Sequence, residues 1–251
     1  MSFVIRRLSW TACSSWLIAG ARDLARHPAQ GAFFGLAFCT MANLLAAVFR
    51  HQPEYTVSMF SGCLLVGPFL AMGLYDISRR AEQGLAQDFL SSLTCWGAHL
   101  KSMALLVLVL LVLELLWGRA SLVIFAVFFN TGLPTAHGMF ELVFSARNIE
   151  FLAIYGLVGG LFASLVYAFS VVSIPMILDR DTDAISASIT SFTVFARHWP
   201  ILLLWAACLV MAIAAALMTP FFLGLLFVGP WLGHASWHAY RGCLAWPENV
   251  K

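Results

Sequence analysis

Charge is what this 251-residue chain has least of: Asp, Glu, Lys and Arg together make up 10% of it, against about 25% in an ordinary soluble domain. With 61% hydrophobic residues and a mean hydropathy of +0.88, a soluble globular protein is excluded. The net charge is only +2, and no dense basic run occurs, which excludes a nucleic-acid partner. There is no HExxH, no CxxC and no nucleophile beside a paired base. The chain therefore lacks both a closed metal-ligand motif and a hydrolase constellation, and enzymatic activity is not expected. The opening "MSFVIRRLSWTACSSWLIAG" has no uninterrupted apolar core ahead of a cleavage site, so it is expected to be retained rather than removed as a leader.

Long apolar runs are abundant. A helix needs about 20 mostly apolar residues to cross a bilayer, and six runs approach this, near residues 31–49, 58–75, 102–117, 151–178, 201–218 and 221–240. The expected fold is all-α, with six transmembrane helices in a single membrane domain over 1–251. Lys and Arg gather on the cytoplasmic side of membrane proteins. With the N-terminus inside, only Arg50, Arg119 and Arg147 of the 14 basic residues fall outside. Both termini are then cytoplasmic, and the location expected is a bacterial inner membrane. The run "ASLVIFAVFFN", residues 120–130, is too short to span by itself and is expected to be interfacial or re-entrant. None of the six cysteines reaches the oxidising side in this topology, which argues against disulfides.

The second and sixth runs share a design: "VGPFLAMGLYDISRR" from Val66 aligns with "VGPWLGHASWHAYRG" from Val228, and "VSIPMILDRDTD" from Val172 is a weaker third copy. Pro68, Pro175 and Pro230 take equivalent places, where a missing N–H is expected to kink each helix. Ahead of the hairpins lie amphipathic stripes: Trp10, Cys13, Leu17, Ala21 and Leu24; Ile77, Ala81, Leu85, Phe89, Leu93 and Trp96; Ile185, Ile189, Phe192, Ala196 and Trp199. Such stripes suit helices lying at headgroup depth. Three pseudo-repeats of a cytoplasmic amphipathic helix plus a transmembrane hairpin follow, over about 9–75, 76–178 with an outer insertion at 118–150, and 179–240.

Three of these stretches, "GPFLAMGLYDISRRAEQG", "SVVSIPMILDRDTDAISASITS" and "GHASWHAYR", resemble a bacterial integral-membrane family, domain of unknown function 2189, over about residues 10–243. Its members are sometimes labelled as related to subunit I of cytochrome c oxidase. The resemblance implies an inner-membrane protein of proteobacterial type and brings no catalytic residue with it.

Four residues after the three prolines stand Met72, Asp179 and His234, and eight after stand Asp76, Asp183 and His238. His234 and His238 are one helical turn apart, as a two-histidine metal site requires, and Asp76, Asp179 and Asp183 are the candidate carboxylates to complete it. No cofactor is predicted outright; a divalent metal or haem at these residues is the redox alternative. The competing expectation is a buried charge network in which Arg79, Arg180 and Arg241 hold the hairpins in register, with Asp181 or Thr182 capping the helix that follows. Glu114, inside an apolar run, and Asn43 are the candidates for a transport path. Gly31 with Gly35, and Gly156 with Gly160 and Ser164, form small-residue stripes for close helix packing. Lipid is the expected partner, with other membrane proteins as further candidates. The leading function is structural, assembly or accessory; a transporter or channel and a metal or haem redox protein are the alternatives.

Overall fold

The computed structural model describes residues 3–51, 56–129 and 149–246, apart from the side chains of 56–66 and 68. Among the described residues the chain is all-α but for one pair of two-residue strands. In order come β1 (Val4–Ile5), α1 (Ala12–Arg26), α2 (Pro28–His51), α3 (Thr56–Glu82), α4 (Phe89–Thr94) and α5 (Leu100–Phe128). Then follow α6 (Ile149–Ser170), α7 (Ser173–Arg180), α8 (Ala184–Leu217), α9 (Leu225–Cys243) and β2 (Leu244–Ala245). Two compact units result: residues 1–107 with 169–251, and residues 108–168.

Among the described residues, four segments are long and apolar enough to cross a membrane: Pro28–His51, Phe89–Phe128, Ile149–Arg180 and Ala184–Leu217. Six such runs were expected. Of the other two, the run at 58–75 lies largely outside the residues whose side chains are described, and in α9 His234, Ser236, His238, Tyr240 and Arg241 dilute the hydropathy. The stretch at 120–128 is not a separate interfacial piece but the last turns of α5. Gly118 is tolerated there and no proline interrupts, so the helix continues.

In the larger unit α9 is the post around which α1, α2 and α3 pack. The faces in contact are set by glycines. A Cβ on Gly20 of α1 would lie 2.6 Å from the Ala235 backbone nitrogen, and one on Gly35 of α2 only 2.1 Å from the Leu226 carbonyl oxygen. α1 therefore buries Cys13, Trp16, Gly20 and Asp23, a stripe one residue round from the apolar one expected. Trp16 meets Trp205 of α8 edge to face at 5.5 Å. Phe34, Leu74 and Ile77 form one core cluster, and Cys39, Ala216 and Leu225 another. Strand β1 pairs antiparallel with β2, Val4 against Ala245 and Ile5 against Leu244.

The amphipathic stripes have different fates. In α8, Ile185, Ile189, Phe192 and Trp199 are exposed, Ile185 by 63%, so that stripe faces the surroundings. The second stripe is divided: Ile77 and Ala81 end α3, Gly84 adopts a left-handed φ of 65°, and α4 restarts behind Asp88, whose carboxylate caps it through Leu90 and Ser91 N–H groups. Among the described residues α8 is kinked at His198, φ −129°, two residues before Pro200. α9 runs through Pro230, and Pro175 sits in the first turn of α7, where its missing N–H leaves no bond unmade. The Pro68 side chain and the insertion at 130–148 lie outside the described residues.

The smaller unit pairs the latter part of α5 with α6 through aromatic rings. Phe125 and Phe151 are 5.0 Å apart and Trp117 and Tyr155 5.1 Å, distances at which edge and tilted contacts add to burial. Gly156 and Gly160 meet nothing within 4 Å.

These glycine environments predict opposite outcomes for the same substitution. Gly35→Ala forces a Cβ onto the Leu226 carbonyl and lowers stability by about 1–3 kcal/mol. Gly156→Ala enters open space on a helix and raises stability by about 0.5–1 kcal/mol. Thermal unfolding in detergent of both variants beside the parent measures the difference.

Candidate functional site

Where the ends of α1, α3, α7 and α9 meet, an otherwise apolar chain buries its polar residues. Asp23, Asp76, Ser78, Ser92 and His234 are all at most 5% exposed. Burying such groups is tolerated only when each finds a hydrogen-bonding partner, and three adjoining networks supply them.

The first joins three helices. Ser78 of α3 donates from its hydroxyl to Asp23 Oδ2 of α1 at 2.8 Å, and its oxygen lies 2.8 Å from His234 Nδ1 of α9. His238 Nε2, one turn further along α9, is 2.8 Å from the same Asp23 oxygen. The serine has one proton, and it goes to the carboxylate; His234 must then donate from Nδ1. That tautomer leaves His234 Nε2 as a bare acceptor, and it has no partner. Around Asp23, burial raises the pKa, but hydrogen bonds from His238 and Ser78, together with the charge of His238, outweigh it. The carboxyl is held below its ordinary value of 3.8.

The second network surrounds Asp76. Arg79 Nη2 reaches Oδ1 at 2.5 Å, Arg80 Nε reaches Oδ2 at 2.8 Å, and Ser92 of α4 donates to Oδ2 at 2.8 Å. Arg79 also donates to the Leu178 carbonyl of α7 at 3.4 Å. The third ties α3 and α7 to α9. Arg241 meets Glu82 Oε1 at 2.9 Å, Trp237 Nε1 donates to Glu82 Oε2 at 3.1 Å, and Tyr240 donates to Asp179 Oδ2 at 2.8 Å. Arg180 pairs with Asp179 at 3.2 Å and lies over the Trp246 ring at 4.4 Å.

The equivalent positions after Pro175 and Pro230, and their counterparts on α3, thus come to one region but not to one point. Asp76, Asp179 and the histidines serve different networks. Asp183 leaves the cluster: it is exposed and caps α8 through the Ser186 N–H at 2.9 Å, which also holds its carboxyl below the ordinary range. The cap was expected at Asp181 or Thr182. Among the described residues no group of three or more His, Cys, Asp or Glu side chains is placed to hold a metal ion. Arg180 pairs with Asp179, where Asp76 or Asp183 was the expected partner. Asn43 donates at 2.8 Å to the Phe221 carbonyl, clamping α2 to a turn in which Phe221 has a φ of 51°. Glu114 is half-buried on α5 in the smaller unit.

Asp23, Ser78, Ser92 and Glu82 were missed. Asp23 alone had a sequence signal, since Cys13, Trp16, Gly20 and Asp23 recur at helical spacing and place the acid on the face that Gly20 opens.

Removing the carboxylate in Asp23→Ala deprives buried Ser78 and half-buried His238 of a partner at once and should cost about 3 kcal/mol. His238→Ala, at a half-buried position, should cost less. The pH dependence follows from the direction of the shift. A depressed folded pKa contributes stability that is fully present above the unfolded value near 4 and is lost as pH falls through the folded value. The parent's acid transition, followed by tryptophan fluorescence in detergent, should lose that component in Asp23→Asn.

Residues 56–179 match the family model described as "Predicted integral membrane protein (DUF2189)". No curated protein matches the chain, and neither does any solved structure. The match runs from α3 to α7 and takes in Asp76, Arg79, Arg80 and Asp179; the wider resemblance expected over 10–243 is narrowed to this segment. Asp23 on α1 and His234 and His238 on α9 stand outside it. Over residues 56–179, just under half of its length, the chain is similar to this family of predicted integral membrane proteins.

Proposed function

We propose that this protein is a structural or accessory subunit of a bacterial inner membrane, in which the polar knot locks membrane helices together. The observation that carries the reading is how the buried acids are matched. Asp23, Asp76 and Asp179 each receive a hydrogen bond from another element, through His238 and Ser78, Ser92, and Tyr240 respectively. An acid saturated in this way holds helices in register and offers no free site to a passing ion. Exposed apolar side chains such as Leu115 on α5 and Met211 on α8, the latter 69% exposed, suit lipid or another membrane protein.

Six spans, α2, α3, α5, α6, α8 and α9, complete the proposal, with both termini cytoplasmic as the arginine distribution demands. Pairing of β1 with β2 supports an even number, because residues 4–5 and 244–245 must lie on the same side of any membrane crossed between them. The three proline-anchored copies are the internal repeat of this arrangement.

One observation favours a second reading. The chain His234, Ser78, Asp23, His238 is a continuous set of proton-bearing groups ending in a buried, unpartnered nitrogen, and such chains also serve proton transfer.

Reconstitution into liposomes under an imposed proton gradient separates the two. The structural reading expects flux no greater than in protein-free vesicles. Flux that disappears in Asp23→Asn would establish the proton path in its place. Reporter fusions at both ends should respond as cytoplasmic, and a periplasmic response at either end would break the six-span topology.

A further inference from the structure

On the side of α9 away from the knot lies a groove that none of the networks uses. Its walls are four helices: Phe38, Ala42 and Leu45 of α2, Ala71 and Leu74 of α3, Leu209 and Ile213 of α8, and a stripe of α9 running from Leu225 through Gly229, Leu232 and Gly233 to Ser236. We propose that this groove holds one hydrocarbon chain of a bilayer phospholipid.

The dimensions accommodate an extended chain. The cavity measures about 390 Å³, and the α9 stripe from Leu225 to Ser236 is about 16 Å long at 1.5 Å per residue. Dividing one by the other leaves a mean section of roughly 24 Å². A section of that order admits an extended hydrocarbon chain along the whole stripe. The lining agrees with this. Ser236 is the one polar side chain in it, and it shares a hydrogen bond with Tyr75, which leaves no charged group to recognise a polar ligand.

The position selects the source. α2 and α8 are both long and apolar enough to span, so the groove lies at the depth of the acyl chains. Ile213 at its rim is 41% exposed, and the lining residues Phe38, Ala42, Leu45, Ala71 and Leu209 are only half-buried. The groove therefore opens sideways to lipid. Left unfilled, it would forfeit dispersion contacts along its whole lining, and the nearest group able to restore them is an acyl chain. Gly67 widens it: this residue lines the groove, and a Cβ there meets nothing within 4 Å.

The test uses the full chain in nanodiscs of phosphatidylethanolamine and phosphatidylglycerol, released into mild detergent for native mass spectrometry. The parent should retain one diacyl phospholipid per chain after other lipids are stripped. Gly67→Leu and Ala71→Phe fill the groove and should lower retention at least tenfold, while Val210→Phe, outside the groove, should leave it unchanged. Both groove variants should keep the parent's melting temperature, since the knot lies on the opposite face of α9. A parent that retains no lipid, or a prenyl compound in place of phospholipid, would overturn the proposal, as would full retention in correctly folded groove variants. A further readout needs no variant. A phospholipid with a diazirine midway along its chain should crosslink to the Gly229–Ser236 stripe, and adducts confined to outward-facing residues would equally overturn it.

Discussion

Asp23 is a carboxylate on a short helix at one end of the chain, 5% exposed, and the arrangement of the larger unit depends on satisfying it. Left alone at that depth, the group would have to take up a proton or reject the packing. Instead it accepts from Ser78 of α3 and His238 of α9, so α1, α3 and α9 can approach only in the register that brings these atoms together. Hydrophobic burial has no direction of its own. Close backbone approach and hydrogen bonds must supply the specificity. Gly20 against Ala235 supplies the first and Asp23 the second, three residues apart on the same face.

α9 carries two faces of opposite character. Successive residues turn by about 100°. Gly229, Leu232, Gly233 and Ser236 therefore fall on one face, and His234, His238 and Arg241 fall about 150° away. The first face is small and apolar and lines the groove; the second carries the polar contacts to Asp23, Ser78, Glu82 and Asp179. The hydropathy of the whole segment averages over both and understates its suitability for a buried position.

The same averaging explains what was legible in the sequence. α2, α5, α6 and α8 were plain, because each is apolar nearly all round and length alone marks it. The proline-anchored alignment was informative too, since it brought Asp76, Asp179 and His234 to one region. Their partners were not legible. Glu82 and Ser78 look like ordinary residues of a helix end, and nothing in the order of residues states that one meets Arg241 and Trp237 and the other His234. Contacts separated by more than 150 residues are decided by how helices pack. The break at Gly84 and the continuation of α5 through Gly118 show the local side of the matter: the same residue type ends one helix and is absorbed by another. A left-handed φ is adopted at the first and helical geometry at the second.

The two histidines show why spacing alone is a weak guide to chemistry. They sit one turn apart, and both are tied to Asp23, His238 directly and His234 through Ser78. Their bonding nitrogens differ: His238 uses Nε2 and His234 uses Nδ1. A shared metal would need the free nitrogen of each to point at one centre, whereas the interposed serine and carboxylate hold the rings in a linear sequence. What the i, i+4 spacing secures is a pair of donors on one face of α9, and the acid on α1 is the group that spacing serves.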